Sequence, residues 1–252
     1  MILKEIDILY TPFNTPVQKK NTQTIKYRFE WVDSSQNLEE IQKFRAIQFS
    51  TQFDIQFPQH LDQDTYDLSC KHAVLRDEWS NEIIAYTRVK FLYGYDIQQS
   101  YSQQEFHLDQ VFLASDRIVE MGRTCVHSQY RSTHALSILW ANVFNQFITK
   151  VNADYLIGCV SVKMQGNEYG AYNAHHYIQQ LSLTQSCSVQ SKDNFEMTIQ
   201  VGDEHTERKL PKLFDVYLKM NAQLSKQAYY DADFNCLDYF VLMDVKQMRK
   251  KF

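Results

Sequence analysis

The sequence is poor in the residues that mark several large classes of protein. Its 252 residues include only six glycines and four prolines, which argues against a linker-rich array. The five cysteines are widely spaced, form no C-x-x-C pair and are odd in number, so reduced thiols in a cytoplasmic protein are favoured over a disulfide framework. No internal repeat is present.

The net charge of the chain is small, and long hydrophobic runs are absent. The formal net charge is −4, which gives no field strong enough to indicate nucleic acid as the main partner. No apolar run approaches the roughly 20 residues that a membrane-spanning helix needs. The first residues, MILKEIDILYTPFN, carry charges inside their apolar stretch, unlike a signal peptide. We therefore expect a cytoplasmic protein.

Hydrophobic periodicity predicts an α/β fold with one mixed central sheet flanked by helices. The predicted strands cover residues 25–32, 72–77, 82–93, 117–126, 154–162, 195–201 and 236–245. The predicted helices cover residues 36–49, 132–150, 168–181 and 210–225. We expect an N-terminal extension over residues 1–24, one domain over 25–245 and a basic tail over 246–252.

One strand carries unusual residues for its position. The stretch RIVEMGRTCVHSQYR, residues 117–131, places Glu120, Gly122 and Arg123 in the middle of a β-like segment. A buried strand seldom contains a carboxylate and a guanidinium unless they are paired or used. Strict alternation puts these two side chains on opposite faces, so we predict a bulge at or beside Gly122 that brings them together.

The same strand begins a β-α-β unit. The N-terminus of the following helix points toward the end of the strand, where free N–H groups and the helix dipole suit an anionic phosphate. Arg131 adds a guanidinium fork that matches phosphate geometry. Such a unit can hold a thioester donor against the strand edge, which is the arrangement of GNAT N-acyltransferases. The usual glycine-rich phosphate loop reads RSTHAL here, without glycine.

At this point the sequence resembles one family closely. The block EMGRTCVHSQYR, then LW at residues 139–140, then YLIGCVS at 155–161 resembles the hemolysin-like ornithine N-acyltransferases of bacterial ornithine-lipid synthesis. The segments DQDTYDLSCKHAVLRD, IIAYTRVKF, LPKLFDVYLKMNAQL and YYDADFNCLDYFVLMDV also resemble family segments, so the likeness spans about residues 25–245. A more distant likeness is to acyl-homoserine-lactone synthases. Ala85 and Asn221 stand where the family usually has glycine, and VKMQGNEY departs from the family pattern.

The resemblance implies a GNAT-like fold and a specific reaction. The enzyme is expected to move a long 3-hydroxyacyl group from acyl carrier protein to the α-amine of an amino acid, expected to be ornithine, giving a lyso-ornithine lipid. No bound cofactor is implied, because the phosphopantetheine of the carrier protein serves as the donor arm. Two alternatives stay open: an acyl-homoserine-lactone-type or acyl-amino-acid signal synthase, and a non-enzymatic protein that binds carrier protein or membrane.

The resemblance also implies roles for residues of the cleft. Glu120 is the candidate general base for the α-ammonium, and Arg123 either orients Glu120 or holds the substrate carboxylate. Asp64 and Asp67 are expected to attract a cationic amino acid, while Arg45 and Arg88 fix its carboxylate. The alternatives are that Glu120 is paired only with Arg123, and that residues 53–70 form a solvated acidic loop.

Donor binding is assigned to the turn after the strand. Arg131, Ser132, Thr133 and His134 are expected to face the phosphopantetheine phosphate, and backbone N–H groups near Val126 to polarise the thioester carbonyl. A plain helix cap is the alternative for this turn.

Other chemistry is not expected. Cys125 and Cys159 lie inside apolar strands and are expected to be inert, and the histidines show no metal-ligand spacing, so no metal site is predicted. The basic tail is either solvated or docks on carrier protein or on anionic lipid, which would place the protein peripherally on the inner membrane face.

Overall fold

The computed structural model describes residues 26–33, 38–131, 133–164, 166–195 and 210–247. Within these ranges the chain forms one mixed sheet of nine strands, in the order β1-β2-β3-β4-β5-β9-β7-β6, with β8 paired to β9. The α/β class and the single mixed sheet are thereby confirmed. Of the helices in the described ranges, none is both long and apolar enough to cross a bilayer.

Six strands match predicted segments to within two residues, and three short strands, at 186–187, 223–225 and 229–231, were not predicted. The strands are β1 Tyr27–Val32, β2 Lys71–Asp77, β3 Ile83–Tyr93, β4 Arg117–Val126, β5 Tyr155–Lys163, β6 Ser186–Cys187, β7 Gln223–Ser225, β8 Tyr229–Asp231 and β9 Cys236–Asp244. The longer helices are α1 Glu39–Phe53, α2 Ala135–Val143, α3 Glu168–Gln179 and α4 Lys212–Lys219, and a four-residue helix, Ser102–Glu105, lies between β3 and β4. The predicted extension 1–24 lies outside the described residues, as do nearly all of the predicted strand 195–201 and positions 248–252 of the tail.

The predicted helices have different ends in the structure. The helix predicted over 36–49 continues to Phe53, and the one predicted over 168–181 ends at Gln179. The prediction for 210–225 is wrong at its C-terminal end, because α4 ends at Lys219 and residues 223–225 form β7 instead. Asn221 adopts a left-handed φ of 62°, a conformation that ends helices and that asparagine tolerates better than most residues. The helix predicted from residue 132 begins at Ala135 and continues beyond Val143 as the π-helical turn Phe144–Ile148.

Helices cover both faces of the sheet. Successive residues of a strand point to opposite faces, so Val74 of β2 contacts one layer and its neighbours Ala73 and Leu75 contact the other. Val74 packs in a cluster with Ile41, Phe44 and other apolar residues of α1. Ala73 and Leu75 pack in the larger cluster that contains Leu139, Trp140 and Val143 of α2. The two helices thus hold the centre of the sheet, where β3, β4 and β5 lie, between two apolar layers.

The functional cleft comes from the way β4 and β5 separate. The two strands are parallel and joined through α2, but their pairing runs only from Ile118↔Tyr155 to Glu120↔Ile157. Both strands continue well beyond that point, so an open fork forms between them. A Cβ on Gly158 would lie 2.4 Å from the Met121 carbonyl oxygen, which shows that only glycine fits where the strands part.

Candidate active site

A cleft of about 110 Å³ occupies the fork between β4 and β5. Its floor is made by residues 121–124 of β4 and residues 158–161 of β5. Phe53 and Phe234 contribute apolar wall, while Arg88 and Glu120 contribute charge. A concave site that combines apolar walls with a few convergent polar groups is the usual form of a small-molecule site.

The predicted bulge lies beside Gly122 and is confirmed. Between Tyr86↔Cys125 and Arg88↔Gly122, β3 advances by two residues while β4 advances by three. Arg123 takes the strained conformation, with a left-handed φ of 52°, whereas a Cβ on Gly122 would meet nothing within 4 Å. The bulge therefore re-aims the strand at Arg123, and Glu120, Gly122 and Arg123 all line the cleft.

Glu120 is held by backbone rather than by a cation. Its Oε2 accepts from the Tyr101 N–H at 2.8 Å, and its Oε1 accepts from the Ser102 N–H at 2.8 Å and the Ser102 hydroxyl at 2.6 Å. The alternative in which Glu120 is paired only with Arg123 is therefore wrong. A carboxylate can accept about four hydrogen bonds, so one acceptor position remains on this side chain, which is only 6% exposed.

Three arginines and three aspartates form what we call the arginine network. Its members are Arg45, Arg88, Arg123, Asp62, Asp64 and Asp67. Arg45 donates to both oxygens of Asp67, at 2.7 and 2.8 Å, and its Nε lies 3.0 Å from the Asp62 carboxylate without good hydrogen-bond alignment. Burial raises the pKa of Asp67, but the hydrogen bonds and charge of Arg45 outweigh this and hold it well below its usual range.

The other two arginines complete the network. Arg88 donates to Asp64 and Asp67, and Arg123 donates to Asp64 at 3.3 Å. Five residues that the sequence analysis assigned to the cleft lie together in this network: Arg45, Asp64, Asp67, Arg88 and Arg123. With Asp62, the formal charges of the network cancel. Because Arg45 is 0% exposed and Asp67 is 1% exposed, with both side chains occupied by each other, direct contact of these two with a substrate is not supported. The residues 53–70 are not simply a solvated acidic loop either.

Arg123 and Arg88 are the two members of the network that also line the cleft. The guanidinium carbon of Arg123 lies 4.6 Å from the centre of the Phe234 ring and 5.2 Å from that of Tyr101. Cation–π contacts of this kind fix the plane of the guanidinium. Its Nε is buried and lies 3.6 Å from the Asp62 carboxylate without an aligned hydrogen bond, so Arg123 is tied to the network while it lines the cleft.

The predicted donor turn is only partly described, because Ser132 lies outside the described residues. The His127 N–H donates to Ile84 on β3, and strand alternation therefore directs the Val126 N–H toward the open side of the fork. Arg131 is exposed and its Nε donates to the Val126 carbonyl at 3.3 Å. Thr133 caps α2, since its hydroxyl accepts from the Ala135 N–H at 3.2 Å. His134 is exposed at the N-cap position.

Three carboxylates on the other side of the cleft were missed from the sequence. We call Glu105, Asp231 and Asp238 the acidic group. Asp231 and Asp238 line the cleft, and Glu105 lies beside Asp238 and Cys159. Burial raises the pKa of Asp238 to about 6, and burial followed by the charge of Asp238 raises the pKa of Glu105 well above its usual range. A lone aspartate inside the apolar strand CLDYFVLMD is the same kind of signal that identified Glu120.

The cysteine thiols near the cleft are not activated. Burial, together with the charges of Glu105 and Asp238, raises the pKa of Cys159 well above its usual range. Burial also raises the pKa of Cys125. Because the thiolate is the reactive species, neither residue is suited to nucleophilic catalysis, in line with the sequence prediction.

Comparison with known proteins agrees with this geometry. A family profile described as an acetyltransferase (GNAT) domain matches residues 44–141. An L-ornithine N(alpha)-acyltransferase of Rhodobacter capsulatus is 23% identical over 90% of this chain and 93% of its own length. The enzyme of the same name from Brucella abortus is 21% identical over 76% of this chain and 73% of its own.

A solved structure shares the fold over most of the chain. The CoA-dependent acyl-homoserine lactone synthase BjaI is 11% identical, with a TM-score of 0.50 over 90% of this chain and 87% of its own. This likeness supports the predicted GNAT-like fold. The matched domain and these relatives indicate an acyltransferase with a GNAT-like fold, similar over most of its length to L-ornithine N(alpha)-acyltransferases.

Proposed function

We propose that this enzyme transfers a long 3-hydroxyacyl group from acyl carrier protein to the α-amine of ornithine, giving a lyso-ornithine lipid. The observation that carries the proposal is the fork between β4 and β5, where Glu120 and Arg123 line one cleft. The similarity to L-ornithine N(alpha)-acyltransferases supports the choice of acceptor.

The chemistry assigned to Glu120 follows from the state of the acceptor. An α-amine has a pKa of about 8 and arrives mostly protonated, so it must lose a proton before it attacks a thioester. Glu120 lines the cleft and keeps one acceptor position, so it takes this proton directly or through a water molecule. The guanidinium of Arg123, with that of Arg88 also in the cleft lining, binds the acceptor carboxylate.

The donor thioester lies along the open edge of β4 in this proposal. The Val126 N–H points toward the fork and polarises the thioester carbonyl, and Arg131 binds the phosphopantetheine phosphate. The turn between β4 and α2 has no glycine, so it offers less room for a CoA pyrophosphate than for one phosphate. The fold does not decide between carriers, because BjaI is described as CoA-dependent.

The product suggests a location for the enzyme. A lyso-lipid with a long acyl chain partitions into a bilayer, and Lys246, Arg249, Lys250 and Lys251 provide basic residues at the end of the chain. The proposal therefore includes peripheral contact with anionic lipid in the cytoplasm, through a tail that lies mostly outside the described residues.

The test is transfer from defined donors to a pool of amino acids. The enzyme is incubated with 3-hydroxyacyl carrier protein or with the matching acyl-CoA, and the products are identified by mass spectrometry. N-acylornithine formed preferentially from the carrier-protein thioester supports the proposal. An N-acyl product on another amino acid, or a lactone from an added S-adenosylmethionine, would assign a different acceptor and exclude the ornithine-lipid reaction.

The donor site is tested separately with Arg131→Ala. This variant should raise the KM for acyl carrier protein about tenfold while leaving kcat unchanged, since a charge-assisted phosphate contact contributes roughly 1.5–3 kcal/mol. Acyl-pantetheine, which lacks the phosphate, is the matched control substrate, and the variant should use it as well as the wild-type enzyme does. Equal losses with both donors would remove Arg131 from the phosphate site.

A further inference from the structure

The cleft contains more carboxylate than the proposed acyl transfer uses. In the arginine network every aspartate contacts at least one arginine, so the network presents no net negative charge. In the acidic group, none of the three carboxylates forms an ion pair with a lysine or arginine of the described residues. The carboxylates of the cleft lining that lack an arginine or lysine partner within the described part of the chain are therefore Glu120, Asp231 and Asp238, and three hydrogen bonds to Tyr101 and Ser102 already hold Glu120.

The acidic group also has unused hydrogen-bonding capacity. Glu105 is 3% exposed, and its Oε2 has no hydrogen-bond partner among the described residues. One oxygen of Asp231 accepts hydrogen bonds from the Asp233 and Phe234 N–H groups. Asp238 has neutral hydrogen-bond partners, the Ser161 hydroxyl and the Cys236 thiol. Buried carboxylates without a counter-cation are unfavourable, which points to a cation that is bound during function.

The surrounding atoms favour an organic ammonium over a metal ion. Single ligand atoms of Asp231, Cys236 and Asp238 lie within 4.8 Å of one another. Burial, together with the charges of Asp238 and Asp231, raises the pKa of Cys236 well above its usual range, so a metal would have to displace the thiol proton before binding there. An ammonium donates three hydrogen bonds and needs only carboxylate acceptors.

We propose that Asp231 and Asp238, supported by Glu105, bind the side-chain ammonium of the acceptor and so restrict the enzyme to cationic amino acids. This inference rests on the proposed function and adds the origin of its acceptor specificity. The three polar groups of the acceptor then meet three parts of the cleft: the α-amine meets Glu120, the carboxylate meets Arg123, and the side-chain ammonium meets the acidic group.

The first experiment compares acceptors with the wild-type enzyme. Norvaline has the carbon skeleton of ornithine without the side-chain amine, so the pair isolates that one group. We expect kcat/KM for norvaline to be at least 100-fold lower than for ornithine, because sites built around buried polar groups reject analogues that leave them unpaired. Equal kcat/KM values would overturn the inference while leaving N-acyl transfer intact.

The second experiment changes the acceptor preference by substituting residues of the acidic group. Asp238→Asn and Asp231→Asn should each lower the ratio of kcat/KM for ornithine to kcat/KM for norvaline 10–100-fold. Asp233→Asn is the matched control, because Asp233 is an exposed residue on the same turn and is not part of the cleft lining. If Asp238→Asn fails to fold, the half-buried Asp231 still provides the variant. Parallel losses for both acceptors would reduce these residues to a structural role.

A binding measurement keeps the inference separate from turnover. Calorimetric titration of the wild-type protein with ornithine and with norvaline should show tighter binding of ornithine, even if no acyl product forms under the chosen donor conditions. Titration with Zn²⁺ alone tests the alternative that the acidic group binds a metal ion. Metal binding that Asp238→Asn abolishes, without any preference for ornithine over norvaline, would overturn the inference and assign the acidic group to a metal.

Discussion

The arginine network and the acidic group are two sets of three carboxylates near one cleft, and they differ in their partners. Asp62, Asp64 and Asp67 lie against three guanidinium groups. Asp231 and Asp238, with Glu105, lie against hydroxyl, thiol and backbone groups instead. The consequence appears in the pKa values, since Asp67 is held well below its usual range while Asp238 is raised to about 6.

This comparison shows that acidic residues near a cleft do not by themselves attract a cationic substrate. Carboxylates that are neutralised by buried arginines shape the cleft and hold its walls, and removal of one partner leaves an uncompensated charge. Carboxylates without a cation keep their field available to a ligand. Glu120 belongs with the second set in charge, although its hydrogen bonds to the Tyr101 and Ser102 N–H groups stabilise it.

The largest expected effect is on turnover in Glu120→Gln, which removes the candidate base. Loss of a general base typically lowers kcat about 10²–10⁴-fold, and the defect should ease at high pH, where more of the acceptor amine is already deprotonated. The KM for the acyl donor should change little, since Glu120 is not placed at the phosphopantetheine. Steady-state kinetics across pH measures all three quantities.

A structural contribution to that defect must be measured as well. In Glu120→Gln, the amide NH₂ would face one of the backbone N–H groups that now donate to the Glu120 carboxylate. This donor–donor contact should cost about 1–3 kcal/mol in folding free energy. Thermal unfolding therefore accompanies the kinetics, with the exposed Glu78→Gln as the control substitution. A folded Glu120→Gln enzyme with wild-type kcat near neutral pH would assign Glu120 to positioning of Tyr101 and Ser102.

Arg45→Ala should give the largest effect on stability. Arg45 is 0% exposed, and its removal leaves Asp62 and Asp67 buried without their main counter-charge, a defect that costs about 3–5 kcal/mol. Arg28→Ala is the control, because the Arg28 side chain is 52% exposed and its ion pair with Glu30 should contribute under about 1 kcal/mol. Chemical denaturation measures both, and similar losses would contradict the distinction drawn here between buried and exposed pairs.

The strands were predictable because their signals are local. The period-2 patterns gave β2, β3, β4, β5 and β9 with ends within one or two residues of those observed. The end of α4 at Lys219 was not predictable from periodicity, because β7 is set by pairing with β9 and β6 rather than by its own three residues. Short strands of this kind depend on tertiary contacts that a sequence window does not contain.

The site was predictable to a similar extent. The odd spacing of Glu120 and Arg123 indicated the bulge, because a regular strand cannot place both on one face. The saturation of Asp64 and Asp67 was not predictable, since charge balance depends on Arg88 and Arg123 reaching them from other strands. Asp238 carried a signal in its apolar strand. Its surroundings were not predictable, because Ser161 of β5 and Glu105 come from other parts of the chain.

The cleft lies between the arginine network and the acidic group, and it is open because β4 and β5 separate. The substitution Gly158→Ala tests whether this separation depends on glycine. The added Cβ would lie 2.4 Å from a backbone oxygen of Met121, so a strand must shift, at a cost of about 1–3 kcal/mol. Gly122→Ala is the matched variant, because open space surrounds its Cβ and the side chain would only enter the cleft. We expect Gly158→Ala to lower stability and Gly122→Ala to lower activity with little change in melting temperature.

The smallest expected effect, and the one most specific to the acidic group, is a pH-dependent gain of stability in Asp238→Asn. Native Asp238 holds its proton more tightly than the unfolded chain does, so the wild-type protein loses stability as pH rises from about 4 through about 6. An asparagine has no proton to lose. The variant should therefore match the wild type near pH 4 and exceed it by about 1–3 kcal/mol near pH 8.

The charged groups around Asp238 determine how much of the stability gain comes from Asp238 itself. Glu105 and Asp231 repel its charge, and Arg123 attracts it, so part of the gain reflects relief of Glu105 once Asp238 is neutral. Denaturation from pH 4 to pH 8 measures the difference, and Asp233→Asn should show none. A saturating cationic acceptor should reverse the order at pH 8, because bound ammonium stabilises the wild-type carboxylates and finds a weaker site in the variant. A gain of equal size at every pH would mean that Asp238 is not strained by its charge, and its place in the cleft would then have to be explained by packing alone.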